Sequence, residues 1–167
     1  MVVLPAGYQL RSGSGVERSL LVQFMQRSYA EIQPGHHHSH LAKTVEQYFS
    51  WETPLWWVEP LHPAPAVSPA TLPRTPFRPV ACLWLGTAID QGTGERHAHI
   101  FLLYVAPDHR RQGIGTALMQ YAETWARSRG DRQIGLQVFQ TNQPALQLYH
   151  QLGYQTQSLW MVKPLPP

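Results

Sequence analysis

The chain has 167 residues, 43% apolar and 14% charged, and its 13 Lys and Arg against 10 Asp and Glu give a formal charge of +3. That length suits a single domain, residues 1–167, with one core, and the composition is that of a globular chain. The basic excess is mild and forms no Lys/Arg run, which argues against a nucleic-acid partner and fits a small anionic ligand.

The single cysteine, Cys82, excludes an internal disulfide and reads as a buried small hydrophobe rather than a nucleophile. The start, MVVLPAGYQL, lacks a basic n-region and a long h-region, and no apolar run approaches spanning length. The expectation is a cytoplasmic protein without a membrane segment.

In chain order, Gly7 to Arg11 predicts a strand, and Ser14 with Glu17 forms a capping box for a helix reaching about Ile32, where Pro34-Gly35 breaks it. His36, His37, His38 and His40 follow. Imidazoles are common metal ligands, but consecutive loop residues rarely converge on one ion, and no Cys or carboxylate lies nearby. A polar loop near a substrate mouth is expected there, with no metal. Leu41, Val45, Tyr48 and Phe49 mark a second helix, through about Trp51. Leu55 to Val58 reads as a strand whose adjacent Trp56 and Trp57 point to opposite faces, one into the core and one elsewhere. Seven prolines between 60 and 79 forbid helix and ladder alike and predict an extended loop. Strands Val80–Ile89 and Arg96–Val105 flank a hairpin turn at Asp90–Gly94.

The stretch from Phe101 to Gly130 organises the rest. An apolar strand stops at Pro107, then Arg110-Arg111-Gln112-Gly113-Ile114-Gly115-Thr116 opens a helix whose Ile114, Ala117, Leu118, Tyr121, Ala122 and Trp125 fall on one stripe. First-turn amides lack intrahelical acceptors and the peptide dipoles add positive charge, so such a turn suits phosphate. Gly113 and Gly115 let an anion reach the backbone, and Arg110 and Arg111 add charge. A Walker loop is excluded because Gly115 precedes Thr116-Ala117, and a dinucleotide fingerprint because Leu118 replaces its third small residue. A strand at Gln133–Phe139, a helix at Pro144–Leu152 and a closing strand at Tyr154–Lys163 complete the chain.

Val105, Pro107, Arg110, Gly113, Ile114 and Gly115 form Val-x-Pro-x-x-Arg-x-x-Gly-Ile-Gly, which resembles the acetyl-CoA-binding motif of the GNAT superfamily of N-acetyltransferases. Asn142, Ala145, Leu148, Tyr149, Gly153 and Tyr154 resemble a second motif of that family. The resemblance covers residues 97–163 directly. It implies an α/β fold of order β-α-α-β-β-β-α-β-α-β, with a mixed, mostly antiparallel sheet and about four helices. The implied reaction transfers acetyl from acetyl-CoA to a primary amine of a small molecule or peptide. Its rival is a catalytically silent CoA-binding sensor or scaffold. Oligomeric state stays open, homodimers being common in the family.

By the same resemblance, the cofactor meets backbone amides of Leu103, Tyr104 and Val105, the loop from Arg110 through Gln112 and Gly113 to Thr116, and Asn142. Tyr149 takes the role of acid to the leaving thiolate, with a phenol pKa near 10 roughly matched to a thiol. Gln137 stands where members acetylating protein N-termini often carry Glu, and it cannot take a proton. The base is left among His99, His97, Glu95 and water. Period two puts His97, His99, Phe101, Leu103 and Val105 on one face, with His99 about 20 Å from Val105 at roughly 3.3 Å per residue.

Overall fold

Consecutive buried residues in the two strands that follow the first helices, and apolar stripes on the helices, produce a sheet with helices on both sides. The computed structural model describes residues 3–61 and 77–167, so most of the expected proline-rich loop lies outside the described residues. The order is β1 (Tyr8–Ser12), α1 (Arg18–Ile32), α2 (His40–Tyr48), β2 (Leu55–Pro60), β3 (Ala81–Ile89), β4 (Arg96–Val105), α3 (Ile114–Ser128), β5 (Ile134–Leu136) and α4 (Gln143–Gln151). The chain forms two compact units, Met1–Gln137 and Val138–Pro167.

In the first unit the sheet runs β1-β2-β3-β4-β5, antiparallel except for the parallel β4–β5 pair. One face packs against α1 and α2 through Leu21, Phe24, Met25, Leu41 and Val45, which meet Leu55, Trp57, Trp84, Leu102 and Tyr104. The other face carries α3. The adjacent tryptophans divide between them. Trp57 stands 5.1 Å from Phe24 on α1, and Trp56 stands 5.0 Å from Tyr121 on α3. Both are buried, so the expectation that only one joins a core is corrected: the sheet has a packed layer on each side. Cys82 is fully buried, and desolvation drives its thiol pKa far upward, as an inert core residue requires.

A β-bulge sets the geometry of β4. Pairing runs from Ala81 opposite Val105 to Trp84 opposite Leu102, then slips, so that Leu85 faces Ile100 and Gly86 faces His99. Phe101 is the extra residue, and a Cβ on Gly86 would lie 2.1 Å from its ring. Cross-strand partners share a face, and Phe101 stands 4.8 Å from Trp84. Strict alternation is therefore broken. His97, His99 and Phe101 lie on the α1/α2 side with Leu102 and Tyr104, whereas Leu103 and Val105 lie on the other.

β5 is shorter than the expected Gln133–Phe139, because it pairs with β4 only from Ala98–Ile134 to Ile100–Leu136. In the second unit α4 matches the predicted helix, and Gly153 follows it with φ +89°. The expected closing strand at Tyr154–Lys163 forms no ladder, and Leu159, Trp160, Met161 and Val162 are exposed. Strand preference is weak without a partner surface, and period-two patterning alone does not supply one.

Replacing Gly86 with Ala is expected to cost about 1–3 kcal/mol, as overpacking does. Urea unfolding should show a lower midpoint, largely restored when Phe101 is shortened to Ala in the same chain.

Candidate active site

The glycine turn has the features of an anion cradle. Gly113 caps α3 with φ +88°, a conformation that side chains resist, and Arg111 also adopts positive φ, 61°. The first intrahelical bond at this end is donated by the Ala117 N–H to the Gly113 carbonyl, at 3.0 Å. The amides of Ile114, Gly115 and Thr116 thus have no acceptor within the helix. The Ile114 side chain is buried in the core, so its backbone alone faces the turn. β1 holds the turn from below: the Tyr8 hydroxyl donates to Gln112 Oε1 at 2.8 Å and lies 2.7 Å from His109 Nδ1.

The two arginines have different surroundings. Arg111 is exposed and forms no ion pair among the described residues. Arg110 is tied down: Nε donates to the Val105 carbonyl at 2.8 Å, and Nη2 donates to Glu31 Oε2 at 2.7 Å. The Tyr104 hydroxyl donates to Glu31 Oε1 at 3.0 Å. Burial, then the Glu31 carboxylate, raise the Tyr104 phenol above its ordinary pKa.

Between Ile100 and Val105 the edge of β4 away from β3 has no ladder partner among the described residues. The Ala106 N–H donates to the Val80 carbonyl at 2.8 Å, so alternation turns the amides of Leu103 and Val105 away from β3 and that of Tyr104 towards it. Of the three backbone donors expected from the sequence, two face the open edge.

His99 lies farther along the same strand, between two glycine neighbours, Gly86 on β3 and Gly135 on β5. The space over each glycine is filled from β4: Phe101 over Gly86, and His97 over Gly135, where a Cβ would lie 2.9 Å from its ring. His99 sits 5.5 Å from Phe101 and 6.5 Å from His97 in a row of rings that Trp84 extends. Burial, then the nearby His97, lower the His99 pKa below its usual value, so it is neutral near pH 7. His97 Nδ1 lies 2.9 Å from the Ala98 carbonyl, and Glu95 is exposed on the hairpin.

In the second unit Asn142 Oδ1 accepts from the Ala145 N–H at 3.3 Å, the N-cap expected of it. Tyr149 is raised to about 12 by burial, well above the value near 10 expected from the sequence. Its phenol is fully protonated at neutral pH but a weaker acid than a thiol. In the histidine loop, His38 and His40 are 6.3 Å apart and both neighbour Tyr29; among the described residues no three His, Cys, Asp or Glu side chains gather as a metal set. Sequence reasoning missed Glu31, Gly86 and Gly135. A pair of glycines in apolar strands was the one available signal.

On this α/β sheet the open edge of a central strand therefore lies beside a glycine-opened helix. The profile of the Acetyltransferase (GNAT) family matches residues 25–154, and the chain belongs to that family. A streptothricin acetyltransferase from Streptomyces lavendulae is 44% identical over 50 residues, 30% of this chain and 26% of that protein. The chain thus matches about a quarter of that relative's length. A GCN5-related N-acetyltransferase from Ralstonia eutropha superposes with TM-score 0.66 at 23% identity, covering 95% of this chain and 99% of that one. A Clostridium acetobutylicum protein described as a predicted acetyltransferase, solved with acetyl-CoA, gives 0.71 at 16%, covering 94% and 96%. At these identities the structural likeness shows the fold.

A half-buried histidine with a lowered pKa makes folding pH-dependent with a definite sign. The unfolded chain binds the His99 proton near pH 6.5 and the native chain only below that, so stability falls as pH drops from about 6.5 through the lowered native value. Urea titrations from pH 7.5 to 5 should show this loss, and His99→Asn should reduce it.

Proposed function

We propose that the protein transfers the acetyl group of acetyl-CoA to a primary amine by direct attack. The observation that carries this reading is the open edge of β4 between Ile100 and Val105, which lies between His99 and the glycine turn. The diphosphate lies on the amides of Gly113 to Thr116 with Arg111 beside it. The pantetheine arm runs along β4, bonded by the Leu103 and Val105 backbone, and about 20 Å of strand matches its length. Gln112 contributes its amide, its side chain being held by Tyr8, and Asn142 contacts the cofactor as its motif implies.

In the reaction the amine nitrogen attacks the thioester carbonyl carbon, the carbon–sulfur bond breaks and CoA leaves as the thiolate. Backbone N–H groups on β4 stabilise the tetrahedral oxyanion. His99, neutral at working pH, takes the proton that the amine must lose, directly or through water. Tyr149 donates a hydrogen bond to the leaving sulfur. With a phenol near 12, its contribution is stabilisation of the thiolate rather than early proton release.

The acceptor is a small molecule or peptide amine. The half-buried rings of Phe101 and His99 offer an aromatic wall to an alkylammonium group. The streptothricin acetyltransferase supports a small-molecule acceptor by its name. No metal enters this chemistry, and a cytoplasmic site, where acetyl-CoA is made available, suits it.

Thiol release across an amine panel tests the reading: turnover is expected with at least one amine, and CoA binding without thiol release for any amine would favour the silent module. His99→Ala should lower kcat about 10²-fold or more and remove the acid limb of the pH–rate profile. Tyr149→Phe should lower kcat with little change in acetyl-CoA affinity.

A further inference from the structure

We propose that Glu31 is a positioning residue that competes with the cofactor's diphosphate for Arg110. This rests on the reading of the cleft as a CoA site. Glu31 closes the last turn of α1 and reaches two residues at the far end of β4 and its loop: the Tyr104 hydroxyl at 3.0 Å and Arg110 Nη2 at 2.7 Å. Arg110 in turn places Nε 2.8 Å from the Val105 carbonyl, on the strand edge left open by β5. One guanidinium therefore bridges α1 and β4 and covers part of the edge along which the pantetheine would bond.

Two physical facts make this bridge exchangeable. The side chains of Arg110 and Glu31 are 41% and 40% exposed, so water screens the pair and its net strength is small. A diphosphate carries more charge than one carboxylate and presents oxygens that match the guanidinium fork. When the nucleotide occupies the glycine turn, which begins immediately after Arg110, the guanidinium turns to it, the Val105 carbonyl is uncovered, and Glu31 keeps its bond to Tyr104. The carboxylate thereby weakens cofactor affinity while holding the empty cleft in order.

Calorimetry with CoA on the full chain tests this. Glu31→Gln keeps an oxygen for the Tyr104 hydroxyl but removes the charge, and CoA should bind about two- to fivefold more tightly, the range expected of a screened pair. Arg110→Ala should weaken binding, and adding Glu31→Gln to Arg110→Ala should then change nothing. Glu31→Asp should restore affinity towards that of the wild type. Equal or weaker binding by Glu31→Gln, or a gain that persists without Arg110, overturns the proposal; a purely structural Glu31 gives weaker binding and a lower Tm. If Glu31→Gln folds poorly, Glu31→Ala, compared with the wild type in the presence and absence of Arg110, carries the same test. Absence of saturable CoA heat in the wild type would instead defeat the reading of the cleft itself.

Discussion

The site depends on β4 losing its neighbour. From Ala98 to Ile100 the strand is laddered on both sides; from Leu102 to Val105, among the described residues, β3 alone pairs with it. Buried backbone groups are rarely left unpaired, so an unladdered stretch in the middle of a sheet calls for a partner of extended shape with its own amides. A pantetheine arm is such a partner. The bulge at Phe101 belongs to the same constraint, since it changes which face β4 presents just where β5 departs.

Charge is distributed along this strand in keeping with the chemistry proposed. At the glycine end, the helix dipole and Arg111, which forms no ion pair among the described residues, supply positive potential, while Arg110 is held by Glu31. At the other end, burial and then the neighbouring His97 lower the pKa of His99. A base that is uncharged before the reaction can accept a proton.

Much of this was legible in the sequence because it is written in local chemistry. The capping box at Ser14 and Glu17, the α3 stripe, the glycine turn and the Asn142 cap each depend on residues within a few positions of one another. The bulge was not legible: Gly86 and Phe101 meet only once β3 and β4 are paired, and a one-residue slip is invisible to period two. The same holds for Glu31, 79 residues from Arg110 in the chain, and for Gly135 beneath His97. The expected closing strand failed for the complementary reason, since alternation at Leu159 and Met161 states a preference that only a pairing edge can realise.

Amide NMR during titration with CoA tests the central claim most directly. The account predicts that the Leu103, Val105, Gly113, Ile114, Gly115 and Thr116 resonances shift together with one saturation curve, while the Tyr104 amide, laddered to β3, moves least along β4. Saturation with shifts at Gly113 to Thr116 but none at Leu103 and Val105 would contradict it, as would the absence of any saturable change.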